Sequence, residues 1–275
     1  MKNFEITNPY KIIDEASKAT KLDVIKYYND VAPLMLPFVK NRLLSVIRCH
    51  QGTGDECFFK KHPSNNKDMV EVFFDDDEEY FYLSSADQFL YQVQMGTIEF
   101  HPWASNVPKI DSPNIMIFDL DPDKNMPLEQ LRQGVVDLKR ILDSLHLQSF
   151  LKTSGGKGYH IVLPFSSTSN FETFSSFANS IALLMESKWP KLYTTNMRKD
   201  QRKGKIFIDW LRNKRGSTCA ATYSLRSREN LPISCPIIWE DLEKIAPNDV
   251  NISNYKKYIK SNPWEDFFKV KQRLK

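Results

Sequence analysis

Asn114-Ile115-Met116-Ile117-Phe118-Asp119-Leu120-Asp121 and Lys205-Ile206-Phe207-Ile208-Asp209-Trp210 are two apolar runs that end in carboxylates. Each reads as a buried strand. Side chains at i and i+2 of a strand share a face, so Asp119 and Asp121 point the same way. Asp209 adds a third carboxylate, and an apolar run rarely tolerates a charge without a partner. Between the runs lies Ser154-Gly155-Gly156-Lys157-Gly158-Tyr159-His160, a glycine turn with exposed amides, a lysine and a histidine. Clustered carboxylates suit hard divalent cations, and glycine-rich backbone with lysine suits phosphate. Together they point to two-metal chemistry on a nucleoside triphosphate.

The elements around these runs are mixed. Leu22 to Val39 has helical spacing, with Thr20 as a cap and Pro33 ending or interrupting it. Leu43 to Arg48 reads as a strand, followed by a loop at Gly52 and Gly54 and then Cys57-Phe58-Phe59-Lys60-Lys61. Tyr80 to Leu83 is a strand, Ser85 to Met95 a helix and Thr97 to His101 a strand. Pro127 to His146 carries one apolar stripe through Leu131, Val135, Leu138, Ile141, Leu142 and Leu145. Phe150-Leu151-Lys152 and Tyr159 to Leu163 flank the glycine turn as strands, and Phe171 to Trp189 is a second long helix. The polar and aromatic stretch from Asn251 to Lys275 is expected to be less ordered. This order of elements predicts an α+β (mixed α/β) fold rather than a regular doubly wound sheet.

The chain has 275 residues, 41% hydrophobic and 26% charged, which fits one large domain or two subdomains. No apolar stretch is long enough to span a bilayer, and Met1 to Glu5 lacks the apolar core of a signal peptide. Cys49, Cys57, Cys219 and Cys235 are scattered, without the close pairs of a zinc site, and read as buried thiols of a reducing cytoplasm. Net charge is only +4, yet basic residues crowd Lys60-Lys61, Arg198 to Lys205 and Arg212 to Arg215. These clusters favour a polyanionic partner. The acidic run Asp75 to Glu79 reads as a solvated loop.

Each motif also has a plain structural explanation. Carboxylates at a strand end are common solvating caps, and the glycine turn could be only a hairpin. It is not a P-loop, since the Gly-x-x-x-x-Gly-Lys-Ser/Thr order is absent. A lone histidine beside aromatics, such as His101, is more often structural. Two adjacent aromatics alternate sides on an extended chain, so one of Phe58 and Phe59 is expected in the core and the other at the surface. Beside Lys60 and Lys61, the exposed ring could stack on a nucleic-acid base.

The chain resembles the polymerase domain of bacterial ATP-dependent DNA ligase D, in the archaeo-eukaryotic primase superfamily. The resemblance rests on Gln94-Met95-Gly96 with Glu99-Phe100-His101-Pro102-Trp103, on Phe118-Asp119-Leu120-Asp121-Pro122 and on Ser154 to His160. It continues through Arg202-Lys203-Gly204-Lys205 into Ile208-Asp209-Trp210, then Tyr223-Ser224-Leu225-Arg226. The motifs run in order from about Asn8 to Phe267. The resemblance implies a primase-type catalytic core whose RRM-like sheet packs against an N-terminal α/β subdomain. Approximate bounds are 1–110 for the N-terminal part, 111–250 for the core and 251–275 for a tail.

The implied activity is template-dependent nucleotidyl transfer that fills gaps and extends ends in non-homologous end joining. It carries a preference for ribonucleotides and two Mn2+ or Mg2+ ions. By motif, Asp119, Asp121 and Asp209 would be catalytic metal ligands. His101, Ser154, Lys157, His160 and Arg226 would hold the nucleotide, Phe58 or Phe59 would stack on template, and Lys11 and Lys21 would bind a 5′-phosphate. The Lys11 region, Asn8-Pro9-Tyr10-Lys11-Ile12-Ile13-Asp14-Glu15, departs most from the family pattern. Implied partners are gapped or broken DNA, nucleoside triphosphates, end-binding Ku and ligase or nuclease modules, in a bacterial cytoplasm near the nucleoid. Two other readings stay open. Phe118-Asp119-Leu120-Asp121 imitates the first motif of haloacid-dehalogenase-like phosphatases, although Pro122-Asp123 replaces the expected Gly-Thr. The chain could also be a nucleic-acid-binding module with a silent site.

Overall fold

The computed structural model describes residues 5–64, 69–75 and 77–274. The opening segment Met1 to Phe4 and Asp76 of the acidic run lie outside the described residues. The fold is α+β, and its chain divides into two compact units, each built from three segments. Unit one comprises Met1–Trp103, Thr218–Cys235 and Val250–Asn262; unit two comprises Ala104–Ser217, Pro236–Asp249 and Pro263–Lys275. No helix among the described residues is long and apolar enough to cross a membrane.

Unit two is organised by a six-stranded sheet. Its order is Tyr193–Thr194, Ile206–Asp209, Ile115–Pro122, Tyr159–Pro164, Phe150–Thr153 and Pro236–Ile237. All pairings are antiparallel except the first. The helix Leu128–Ser144 packs where Leu120, Tyr193 and Ile206 point. A Cβ at Gly134 would lie 2.8 Å from Ile206 Cδ1, so glycine permits this close approach. Phe118, Leu120, Ile161, Leu151 and Ile208 are buried in this core. The final segment is packed rather than loose. Trp264 and Phe267 stack with ring centroids 5.0 Å apart, both against Phe150, and the Trp264 indole donates to the Leu151 carbonyl. Large apolar rings recover more by burial than the short segment loses in chain entropy.

Unit one holds the helix Lys21–Val39, the sheet Phe58–Lys60, Leu44–Arg48 and Thr97–Pro102, and the helix Ala86–Gln94. Thr20 and Asp23 close a capping box at the start of the long helix. The helix continues through Pro33, against the sequence expectation, and through Pro37. Both prolines sit on its exposed side, while Val24, Tyr27, Tyr28, Val31, Met35 and Phe38 are buried. Water can satisfy the carbonyls the prolines release, and packing of the opposite face offsets the lost bonds. Tyr28 anchors the packing by donating its hydroxyl to Ile98 and accepting from the Leu225 amide. The acidic run is not a simple loop: Glu71–Asp75 and Glu78–Tyr82 pair as a hairpin.

The reading of four free thiols is also overturned. Cys49 and Cys57 form a disulfide across a sequence separation of 8, while Cys219 and Cys235 remain buried thiols. Eight residues is too wide for a zinc half-site, but the loop folds back at Gly52, whose Cβ position lies 3.0 Å from the Ile13 carbonyl. Thr53 holds the same carbonyl through its amide at 2.7 Å. Closing a loop of this size stabilises by about 2–3 kcal/mol on the chain-entropy account. Reduction, or Cys57→Ser, should therefore lower the melting temperature with unit-two spectroscopic signals unchanged. An unaltered melting temperature after verified reduction would show that the bridge contributes nothing to stability.

Candidate active site

The sheet register of unit two brings the predicted carboxylates together. Asp209 lies directly opposite Asp119, and His160 lies opposite Asp119 on the other side. Lys152 lies opposite His160 in turn. Residues directly opposed in antiparallel strands share a face. A row Asp209, Asp119, His160, Lys152 therefore crosses four neighbouring strands, and Asp121 joins that face two positions along. The row lies opposite the side that carries Leu120 and Ile208. Asp119 and Asp209 are each 7% exposed, His160 2% and Lys152 1%.

The electrostatics follow from this crowding. His160 Nε2 is 3.3 Å from Asp119 Oδ1. Arg212 Nε is 3.0 Å from Asp209 Oδ2 and 3.9 Å from Asp119 Oδ2. The charge on Asp119, with burial second, pushes the Asp121 carboxyl up to about 6. Burial, with Asp119 adding to it, also raises Asp209, against the pull of Arg212. The turn carrying Arg212 is tied down by Asn213. That side chain accepts from the Ile117 amide at 2.8 Å and donates to the Ile117 and Trp210 carbonyls at 2.7 and 2.8 Å.

The glycine turn differs from the expected cradle of exposed amides. Gly156 and Gly158 donate their amides to Ser154 Oγ at 3.1 and 3.2 Å, and Gly155 donates to the Pro247 carbonyl. Ser154 therefore organises the turn from inside. Gly158 presses on the Asp strand, where a Cβ would lie 2.1 Å from the Leu120 carbonyl oxygen. No other residue fits there without moving one strand. Lys157, exposed at the tip, is the cation this turn offers.

The other predicted site residues belong to unit one. His101 Nε2 and Arg226 Nε meet Glu99 Oε2 at 2.9 and 2.6 Å. Ser227 donates to Glu99 Oε1 through its amide and hydroxyl at 2.7 and 2.5 Å. Burial would raise the Glu99 carboxyl, but these partners outweigh it and hold it far below the usual carboxylate range. Lys11 and Lys21 line a pocket of about 220 Å³ with Thr7, His50, Gln94 and Gly96. Burial and the Lys11 charge lower Lys21. Burial, followed by Arg48, Lys11 and Lys21, lowers His50. Phe58 and Phe59 are both exposed, at 40% and 58%, so neither is a core ring. They lie on an edge strand, Phe58 near the His50 ring and Phe59 near His101.

Three functional candidates escaped the sequence reading. Glu99 and His101 alternate along one strand, a signal that was present in the spacing. Arg212 lay unassigned in a basic cluster three residues past Asp209. Lys152 had no signal, because its neighbours in the row are set by strand pairing.

The donor set suits a hard divalent cation: three carboxylates on one sheet face, two in direct opposition. The described residues contain no group of three His, Cys, Asp or Glu side chains already gathered as metal ligands. The basic groups beside the three carboxylates are Arg212, 3.0 Å from Asp209, and His160, 3.3 Å from Asp119. In metal-free protein Asp121→Asn should thus be stabilising at alkaline pH. The folded carboxyl titrates near 6 and the unfolded one near 3.8. Stability then falls as pH rises between these values, by about 3 kcal/mol at most. The variant should melt above the parent at pH 8 in chelator, and the gap should close at pH 4. A gap that persists unchanged at pH 4 would rule out charge repulsion as its source.

The sequence profile of the family described as LigD, primase-polymerase domain, matches residues 20–267. The multifunctional non-homologous end joining protein LigD of Pseudomonas aeruginosa is 32% identical over 279 residues, covering 98% of this chain and 33% of the relative. The bifunctional non-homologous end joining protein LigD of Bacillus subtilis is 31% identical over 273 residues, covering 98% of this chain and 44% of the relative. The chain thus spans less than half the length of either. Among solved structures, the polymerase domain of Mycobacterium tuberculosis ligase D in complex with DNA superposes with a TM-score of 0.89. It is 24% identical and covers 98% of this chain and 99% of that one, a likeness of fold.

Proposed function

The chain belongs to the LigD primase-polymerase domain family and is by that membership a nucleotidyltransferase, and from this premise we propose that it adds nucleotides to DNA ends and gaps during non-homologous end joining. The observation that carries the reading is the cross-strand opposition of Asp119 and Asp209 with Asp121 on the same face. Opposed, buried carboxylates are costly unless a ligand uses them. Asp119, Asp121 and Asp209 would hold two Mn2+ or Mg2+ ions. Such ions, when bound, lower the pKa of a primer hydroxyl and offset charge on the α-phosphate and leaving pyrophosphate.

The protein's own residues do the positioning. Lys157 reaches phosphate from the tip of the turn. His160, buried against Asp119, orients that carboxylate and lies near the reacting phosphates. Ser154 fixes the turn and, through it, the sugar edge of the site, which is the source of a ribonucleotide preference. On unit one, Glu99 holds His101 and Arg226 as a rigid pair of donors for a triphosphate. Lys21, the first residue of the capped helix, and Lys11, whose carbonyl accepts the Lys21 amide, suit a 5′-phosphate through their charge. We extend the whole-protein context of the relatives to this chain in the same sense: gapped or broken DNA as substrate, Ku and ligase or nuclease modules as partners, the nucleoid of a bacterial cytoplasm as setting. Family membership displaces the phosphatase reading.

The deciding experiment is extension of a labelled gapped duplex with each nucleotide type and with magnesium or manganese. Asp209→Ala should reduce incorporation at least ~1,000-fold, equivalent to about 4 kcal/mol, while the protein stays folded. Lys157→Ala should weaken nucleotide binding more than DNA binding, and Ser154→Ala should reduce ribonucleotide preference. Substantial extension by folded Asp209→Ala protein, or none by the parent, defeats the reading.

DNA carrying a recessed 5′-phosphate should bind tighter than its 5′-hydroxyl counterpart, with a difference that shrinks at high salt. Lys11→Ala with Lys21→Ala should erase the difference. Should it survive, the phosphate is held elsewhere, the Arg198 to Lys205 cluster being next to test. Since both rings are exposed, Phe58→Ala and Phe59→Ala should each keep the parent melting temperature. The ring that stacks on template should cost about 1–3 kcal/mol in templated binding. If neither variant loses affinity for templated DNA, the stacking role is wrong.

A further inference from the structure

Arg212 lies against both members of the acidic pair, and its position has no role in the two-ion reading. Its Nε is 3.0 Å from Asp209 Oδ2 and 3.9 Å from Asp119 Oδ2. It thus reaches one oxygen on each of the two opposed carboxylates. A guanidinium has no lone pair and cannot share a metal's coordination shell. Two cations at a few ångströms also repel. An ion entering beside Arg212 meets its repulsion and shares the carboxylate lone pairs with it, so the two cations compete.

The local architecture allows the exchange. Asn213 is fully buried and fixes the backbone of the turn to Ile117 and Trp210. The Arg212 side chain is 41% exposed. Its head group can leave while the turn stays in place, because several rotatable bonds separate it from the anchored backbone. Among the described residues, the other charged or titratable groups on this face include Asp121, His160 and Lys152, and Arg202, which lies over the Phe207 ring and whose charge also acts on Asp209. His160 Nε2 lies 3.3 Å from the other oxygen, Asp119 Oδ1. The Oδ2 edges are thus the side on which Arg212 and a cation would compete.

We propose that Arg212 is a resident counter-ion: it holds Asp119 and Asp209 together when no divalent metal is bound, and competes with the metal for them. The inference rests on the assignment of these carboxylates as metal ligands. It makes Arg212 a positioning residue that sets the affinity and loading order of the site. The acidic strands stay folded without metal because the guanidinium offsets part of their repulsion. Metal affinity is lowered by the same amount, since the incoming ion must displace it.

The test is Mn2+ binding to nucleotide-free protein, read from the paramagnetic signal of free ion and from melting temperature with and without Mn2+. Arg212→Gln should bind Mn2+ on the order of tenfold tighter than the parent, as expected for removal of a unit charge a few ångströms away in a partly screened site. In chelator it should melt lower than the parent, and it should gain more from Mn2+. Arg212→Lys, which keeps a charge, should stay near the parent. Arg215→Gln removes the same charge from a residue paired with Asp111 at 2.9 Å, and should leave Mn2+ affinity unchanged. Equal or weaker Mn2+ binding by Arg212→Gln overturns the proposal, as does equal tightening by Arg215→Gln. Asp209→Asn separates the two levels of inference. If it abolishes Mn2+ binding while Arg212→Gln is no tighter, competition fails and the metal site stands. If parent and Arg212→Gln both bind no Mn2+, both fail.

Discussion

Like charges set directly opposite one another in an antiparallel sheet are the constraint around which unit two is arranged. Asp119 and Asp209 face across one strand boundary, a pairing that destabilises a sheet by itself. The strands accept it because their other sides are apolar and buried, through Phe118, Leu120, Ile161 and Ile208. Every neighbouring polar choice then follows. A histidine fills the next position in the row, a buried lysine the one after, and an arginine reaches in from a turn that an asparagine locks down. Asp121, left beside Asp119 with the least compensation, carries the strain as a raised proton affinity. Such stored cost is characteristic of sites whose ligand arrives later.

Unit one uses the opposite arrangement. There one buried carboxylate, Glu99, gathers His101, Arg226 and Ser227. Two lysines, Lys11 and Lys21, line the pocket beside His50, whose proton affinity they lower. In one unit an arginine steadies acids; in the other an acid steadies bases. Both follow from the same rule, that a buried charge must be matched by partners with good geometry.

Much of this was legible because charge in an apolar run is conspicuous. Asp119, Asp121 and Asp209 stand out against Ile, Phe and Leu, and the strands and long helices follow from period alone. The misses have physical causes. Pro33 looks like a breaker until one knows that it lies on the solvent side of a helix held by Tyr27, Tyr28 and Met35. Cys49 and Cys57 resemble unrelated thiols because their pairing depends on how the loop at Gly52 folds back. The acidic run hides a hairpin because Phe73, Phe74, Tyr80 and Phe81 flank it with strand character that the charges obscure. Arg212 and Lys152 acquire meaning only through register and turn geometry, which no local window contains. The amides of the glycine turn read as open, yet Ser154 and Pro247 had already claimed them.

The threading of the two units has a consequence for synthesis of the protein. Unit one takes its early part from residues up to Trp103 and completes itself only with Thr218–Cys235 and Val250–Asn262. Phe100 donates its amide to Ser224, and Tyr27 donates its hydroxyl to the Tyr223 carbonyl. These partners do not exist while the first hundred residues leave the ribosome. At roughly 5–20 residues per second, the wait from Trp103 to Asn262 is on the order of 10–30 s. During that interval the apolar strands Leu44–Arg48 and Thr97–Pro102 lack part of their cover. The nascent chain is therefore a natural client for chaperones that shield exposed strands, and slower translation lengthens its dependence on them.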